Sequence, residues 1–510
     1  MAKMMRLAVR SRYRLLLLAL ATLFVCSLLP GITQFSISTT SLRQWTTVIS
    51  GWWEQNRGSQ GGSQVPLEYE EIDFSRWKDP NAAPIKKTYK PAPEPALPVR
   101  DPFPLLSQNP PPSRSLLQAP KANRPPRRHY PEQTPLFVGF TRNWPQLLQC
   151  VVSYIAAGWP AEDIYVVENT GVVYANRESK LTLQNPFYLN HTQLAMLGVN
   201  VIITPTLLTF SQLQNFYLWT ALERAHPHFF WTHQDLLVLS YENETTTTGT
   251  LYDNAVSILR HLTTTTPTTP NTSSSSESKN KKKWAHHFFA YDHLTLVNRD
   301  AVLSVGGWDT HIPFYTSDCD TYLRLRWAGF AQGESDMVGL ILDVGSVLAD
   351  LGALFRIGGA RARVADYSSS GSSGLLSSSS GRGVESSSSS SFSSGAAVQG
   401  GDEDYVESWE RLVEVGERME RDKYAGGNSL RNTWQGQQRG GQGEPFYRDA
   451  DGFETGVQLM IDAGRSVFAE KWGHRGCGLD GTGMTGEDAW RLEKDWDEEL
   501  EGRGFEGGSW

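Results

Sequence analysis

The chain has 510 residues, a formal net charge of −8 and a mean hydropathy of −0.39. That acidic balance excludes a general nucleic-acid binder, and the length admits one large domain with extensions, or two domains. The 46 Gly and 27 Pro cluster rather than spread, so a sizeable core must coexist with much irregular chain.

Residues 1–14, MAKMMRLAVRSRYR, are basic and precede the apolar run LLLLALATLFVCSLLPGI. A basic flank before an apolar run is a signal peptide or a signal-anchor. No small-x-small cleavage site follows, so the reading is an uncleaved anchor over residues 15–32 with a cytoplasmic tail. The run is near the lower limit for a span, about 17 residues, which fits the thinner membranes of the early secretory pathway. Residues 33–134 carry PAPEPALPVRDPFP, NPPPSRS and NRPPRRHYP, a Pro density that opposes regular structure, so this segment reads as an extended stem.

Periodic structure begins near residue 135, the start expected for a catalytic domain over 135–360. LFVGF predicts a strand ending at Thr141-Arg142, and Leu147, Leu148, Val151, Val152 and Ile155 predict a helix stopped by Gly158 and Pro160. DIYVVEN predicts a second strand closing on Glu168, VNVIITP a third, and SQLQNFYLWTALERAHP a helix between the third strand and the next. FFWTHQDLLVL then predicts a buried strand broken by His233-Gln234-Asp235. A His and an Asp two apart share one side of an extended chain. Strands alternating with helices at this spacing predict an α/β fold, with a mostly parallel central sheet and helices on both faces. Ligands in such a sheet bind at the carboxyl ends of the strands.

Residues 243–283, rich in Thr and Ser, read as a surface insertion holding one helix, LYDNAVSILRHL. Residues 361–440 read as a low-complexity insertion, nearly all Ser and Gly over 366–400, with the amphipathic helix ESWERLVEVGERMERDKY. Residues 441–510 read as the C-terminal part of the domain and an acidic tail, with FETGVQLMIDAGRSVFAEKW a helix followed by a strand. Asn190, Asn243 and Asn271 head glycosylation sequons, meaningful only in a lumen.

From Leu136 to Phe330 the order of landmarks resembles the family-2-like nucleotide-sugar transferases of the GT-A fold, in a fungal-type, type II membrane form. HQD is similar to the family's DxD with His in place of the first Asp, and IYVVENTG to the acidic end of its second strand. GGWD, IPFY, SDCD and RLRWAGF resemble its acceptor-side segment in order, with Ser in place of the first carboxylate of EDxD. The resemblance implies a glycosyltransferase, hexosyltransferase-like, moving a sugar from a nucleotide-sugar donor to a glycan or glycoconjugate acceptor. It implies a divalent metal, Mn2+ or Mg2+, on Asp235, His233 and His474, with His233 alternatively bonding a phosphate directly. Thr141, Arg142, Glu168 and Asn215 would bind the nucleotide-sugar. Trp308, Asp309 and Asp320 would bind acceptor, with Tyr315 a further stacking candidate.

Asp318 would be the general base of an inverting transfer. An ordinary reading stands beside it, since Ser and Asp are common in the first turn of any helix. Cys319 adjoins that base and Cys477 adjoins His474, so if both flank one site an oxidising lumen favours their bridging. The implied address is the Golgi or endoplasmic reticulum membrane, single-pass, with the catalytic domain luminal. A different class stays open: a catalytically inactive GT-A-like protein that binds sugar or assembles a complex, kept open by the HQD and SDCD departures. A metal-dependent hydrolase is disfavoured, because no paired-His or nucleophile motif occurs.

Overall fold

Strand β1 (Leu136–Phe140) starts the central sheet, and its pleat sorts two cores. Leu136, Val138 and Phe140 face one side and Phe137 the other, as period-two alternation requires. The structure, a computed structural model, describes residues 98–124, 132–242, 249–265, 283–335, 338–365, 405–425, 439–479 and 482–495. The expected cytoplasmic tail, the signal-anchor, most of the stem, Asn243 and Asn271 lie outside these. Among the described residues no helix is long and apolar enough to cross a membrane.

Helix α1 (Trp144–Ala156) follows β1, started by Asn143 in the left-handed region (φ +76°), whose side chain accepts the Gln146 amide. Strand β2 (Ile164–Glu168), helix α2 (His191–Leu197), strand β3 (Asn200–Ile203), helix α3 (Phe210–Glu223) and strand β4 (His228–Thr232) continue the alternation. Next come β5 (Leu236–Leu239), α4 (Leu251–Thr265), β6 (Trp284–Phe289), β7 (Leu294–Asn298), α5 (Arg299–Ser304) and α6 (Ser317–Trp327). The chain continues with β8 (Ala331–Glu334), β9 (Leu340–Asp343), α7 (Trp409–Ala425) and α8 (Ala450–Trp472).

The seven-stranded sheet runs β3-β2-β1-β4-β7-β6-β8. Its pairings are parallel except for β7, which is antiparallel to both β4 and β6. This mixed α/β, mostly parallel architecture is compatible with a GT-A fold. A second, two-stranded sheet pairs β5 with β9, antiparallel, with Leu236 opposite Asp343. α1 lies between the two, every residue buried. Its polar positions serve the loop after β9: Gln146 donates to the Val344 carbonyl at 2.7 Å and Gln149 accepts the Leu348 amide at 2.7 Å. On the opposite face α3 packs closely over β1, because a Cβ on Gly139 would meet the Tyr217 hydroxyl at 2.5 Å.

Four expectations change. FFWTHQDLLVL is two strands in different sheets, so HQD is the turn that carries the chain between them. LYDNAVSILRHL is core rather than surface, with Leu251, Tyr252, Ala255, Val256 and Leu259 all buried. SVFAEKW continues one helix: Val457, Ile461, Gly464, Phe468 and Trp472 fall at helical spacing and are buried. The last part of the expected stem packs on the domain, where Phe103 is 0% exposed and stacks on Phe355, and Asp101 accepts from Gln193 at 2.8 Å.

Candidate active site

The carboxyl ends of β1, β2, β4 and β6, with the amino end of the antiparallel β7, open on one edge of the sheet. The HQD turn is fixed there by backbone and side-chain bonds. The His233 amide donates to the His293 carbonyl at 3.2 Å, Gln234 donates to the Arg142 carbonyl at 2.7 Å, and the Asp235 carbonyl accepts the Val344 amide at 2.9 Å. Burial lowers His233 from its ordinary value, keeping the ring neutral near pH 7. Its Nε2 and the Asp235 Oδ1 are buried atoms without a hydrogen-bond partner among the described residues.

Asp318 sits in the first turn of α6, behind Thr316, a non-glycine residue at φ +70°. Opposite it, the β6–β7 connection presents Asp292 and His293 after Ala290 (φ +51°) and Tyr291 (φ +57°). Left-handed backbone at three non-glycine positions around two carboxyls is the kind of strain that collects at functional sites. Burial raises Asp318 to about 6, reinforced by Asp292 and opposed by amides of the helix start. Burial raises Asp292 to about 6 as well, opposed by His293 and reinforced by Asp343 and Asp235. Two carboxyls raised together, beside a neutral His, form a proton-handling group at neutral pH.

At the β2 end, Arg142 is buried with its guanidinium 4.6 Å from the centre of the Phe453 ring, and burial lowers it to about 10. Arg448 stacks on Phe187 at 4.5 Å and donates to the Thr170 carbonyl at 2.9 Å. α8 and the segment before it thus bring one cation, Arg448, and one aromatic ring, Phe453, up to the Arg142 that follows β1. Thr141, half-buried, directly precedes Arg142 at the end of β1.

Several predicted roles do not survive this geometry. Glu168 does end β2, but its side chain is 0% exposed: it accepts from Asn176 at 2.8 Å and pairs with the half-buried His191 at 2.7 Å. Asn215 clamps the Trp308 backbone, donating to its carbonyl and accepting its amide, both at 2.8 Å, and is spent on structure. Trp308 itself is core, packed edge-on against Phe210 and Tyr322. Asp320 is 0% exposed, held by Arg324 at 2.8 Å, Lys471 at 2.7 Å and Trp472 at 3.1 Å, and Asp309 shares Lys471 at 2.7 Å. Asp320 is closed to an acceptor, and the half-buried Asp309 is engaged by Lys471. Tyr315, 40% exposed, is the stacking candidate that remains. Asn190 caps α2, accepting the Gln193 amide at 3.0 Å.

The metal set fails a fit test on three counts. His474 pairs with Asp495, not with His233 or Asp235. Asp235 Oδ2 is taken by the ammonium of Lys423 at 2.7 Å, and the same ammonium bonds Asp343. Among the described residues no three His, Cys, Asp or Glu side chains are grouped to hold a metal. The Cys319–Cys477 disulfide is present, with Cα atoms 5.5 Å apart, and ties the start of α6 to the segment after α8.

Sequence reasoning missed Asp292, Asp343, Arg448, Phe453 and Lys423. Lys423 alone left a signal: Leu412, Val415, Met419 and Lys423 form the buried stripe of α7, and a lysine on such a stripe needs a buried partner.

No family model matches the chain, and no curated protein matches it. Among solved structures it is similar to the mannosyltransferase PcManGT from Pyrobaculum calidifontis, in complex with GDP-Man and Mn2+, at 14% identity. The match covers 44% of this chain and 60% of that one, with a TM-score of 0.26. It spans less than two thirds of that protein, a distant likeness to a glycosyltransferase that does not assign a function.

Proposed function

We propose that this chain is a glycosyltransferase that moves a sugar from a nucleotide-sugar donor to a glycan or glycoconjugate acceptor, inverting, with Asp318 as base. The observation that carries the reading is Asp318 itself. It is raised to about 6 and opens the helix that faces HQD at the carboxyl edge of a mostly parallel sheet. A carboxylate tuned near the working pH is suited to taking a hydroxyl proton. Arg142 and Arg448 supply positive charge for a nucleoside diphosphate, and Phe187 and Phe453 supply aromatic faces beside them. A neutral His233 with its proton on Nε2 donates to a phosphate oxygen. Tyr315, with the Arg465 guanidinium 5.4 Å from its ring centre, presents its 40% exposed side to an acceptor sugar.

The proposed address is the Golgi or endoplasmic reticulum membrane, single-pass with a luminal domain, on the strength of the basic flank and apolar run. Glycosidase-sensitive mass on Asn190 supports it, and a cytosolic, unglycosylated protein refutes it.

The test of function is thermal stabilisation by a panel of nucleotide sugars, compared with the free nucleotides and free sugars. Stabilisation by a nucleotide sugar, weakened in Arg448→Ala, is expected; indifference to the whole panel overturns the reading. The second reading, a sugar-binding or complex-assembly protein without catalysis, is favoured by the locked state of Asp235 and Asp320. It predicts stabilisation with no turnover of any donor.

A further inference from the structure

We propose that Lys423 is the resident cation of this site: its ammonium holds the position beside Asp235 that a divalent metal would take, so the chain binds no divalent metal at HQD. The inference rests on HQD being the donor side of the site, and its test does not use catalysis.

The Lys423 ammonium donates to Asp235 Oδ2 at 2.7 Å and to Asp343 Oδ1. The second oxygen of Asp343 accepts the Tyr424 hydroxyl at 2.6 Å. Lys423 is 0% exposed at its side chain, Asp235 4% and Asp343 10%. β5 and β9 bring the two acids together, because Leu236, next to Asp235, lies opposite Asp343 in the ladder. Two buried carboxylates this close need a positive charge between them, and the chain supplies its own.

The lysine is held there by the whole of α7. Leu412, Val415 and Met419 are buried in the main core, and Glu420 accepts the Asp343 amide at 3.1 Å. At the other end of the helix, Trp409 donates to the Ser240 carbonyl at 2.8 Å. Gly416 permits the close approach, since a Cβ there would meet Leu342 at 2.6 Å and Leu237 at 3.1 Å. A divalent ion entering beside Asp235 would have to displace an ammonium whose side chain is 0% exposed, or share a carboxylate with it against like-charge repulsion. What remains for an incoming group is Asp235 Oδ1 and His233 Nε2, one buried acceptor and one ring nitrogen. That pair suits a sugar hydroxyl, which can donate to Asp235 Oδ1, better than an ion needing six oxygen ligands.

The experiment is Mn2+ binding to the full chain, followed by electron paramagnetic resonance of the free ion. Wild type and Asp235→Asn are expected to bind Mn2+ identically, whatever weak sites the acidic surface contributes. Lys423→Gln, which leaves Asp235 and Asp343 facing each other without their cation, is expected to gain one site, lost again when Asp235→Asn is added. A wild-type site weakened tenfold or more by Asp235→Asn overturns the proposal, as does a folded Lys423→Gln protein that gains none. If Lys423→Gln does not fold, the comparison of wild type with Asp235→Asn decides alone. Donor binding does not enter either arm, so a failed proposal here leaves the transferase reading standing, and the reverse.

Discussion

Replacing Asp318 with Asn separates a functional carboxyl from an ordinary helix-start residue. In the folded chain Asp318 is raised from 3.8 to about 6. Roughly two units correspond to ~3 kcal/mol at 1.36 kcal/mol per unit. The carboxyl is only half-buried, so solvent screening brings this to about 1–2 kcal/mol. The folded state holds the proton more tightly than the unfolded state. The contribution is therefore present below about pH 4 and is lost as pH rises through about 6. Asp318→Asn removes that loss. About a third of the contribution is already gone at pH 4.5, so relative to wild type the variant is expected to be ~1 kcal/mol more stable at pH 7.5 than it is at pH 4.5. The assay is urea unfolding at both values with slopes checked for equality. An ordinary first-turn Asp gives the opposite sign, because an ionised carboxylate at a helix N-terminus stabilises by about 0.3–1 kcal/mol. A variant that loses stability at pH 7.5 and not at pH 4.5 refutes the argument that burial beats the helix terminus here.

Two further outcomes follow from the neighbours of Asp318. Asp320→Asn leaves Lys471 and Arg324 without their shared buried carboxylate, and about 3–5 kcal/mol of stability should go. Turnover per folded molecule should stay near wild type, and a large catalytic loss in a stable variant would return Asp320 to the acceptor site. The Cys319–Cys477 pair closes a loop with a sequence separation of 158, so Cys477→Ser is expected to cost about 2–4 kcal/mol. Non-reducing peptide mapping should recover the linked peptides, and two free thiols would contradict the pairing.

The strands and most helices were legible because their apolar residues repeat at clean periods. β2 and β4 also end in polar residues where the sheet ends, and Thr141 follows β1 directly. The HQD break was visible as a break but not as a change of sheet. Leu236–Leu239 is as apolar as His228–Thr232, and only the distant LILD segment decides that it pairs with β9. The helix at 450–472 was cut short by the β-branched and aromatic residues of SVFAEKW, although Gly464, Phe468 and Trp472 keep its face. Site residues were legible by position and not by role. Asp235, Asp320 and Glu168 stand at the ends of elements as motif spacing requires. Whether each is open or locked depends on Lys423, Lys471 and His191, which come from other elements. Asp292 was hidden in FAYDHLTLV, where a loop acid next to a strand carries no period.

The most direct test of the central claim is turnover of a stabilising nucleotide-sugar donor by wild type and Asp318→Asn, counted per folded molecule, with the anomeric configuration of the product. General-base assistance is worth a factor of about 10² to 10⁴. The account predicts a loss of that order in the variant, nearly unchanged donor binding, a wild-type rate that falls as pH drops through about 6, and an inverted product. Full turnover in Asp318→Asn, or a product with retained configuration, would contradict it.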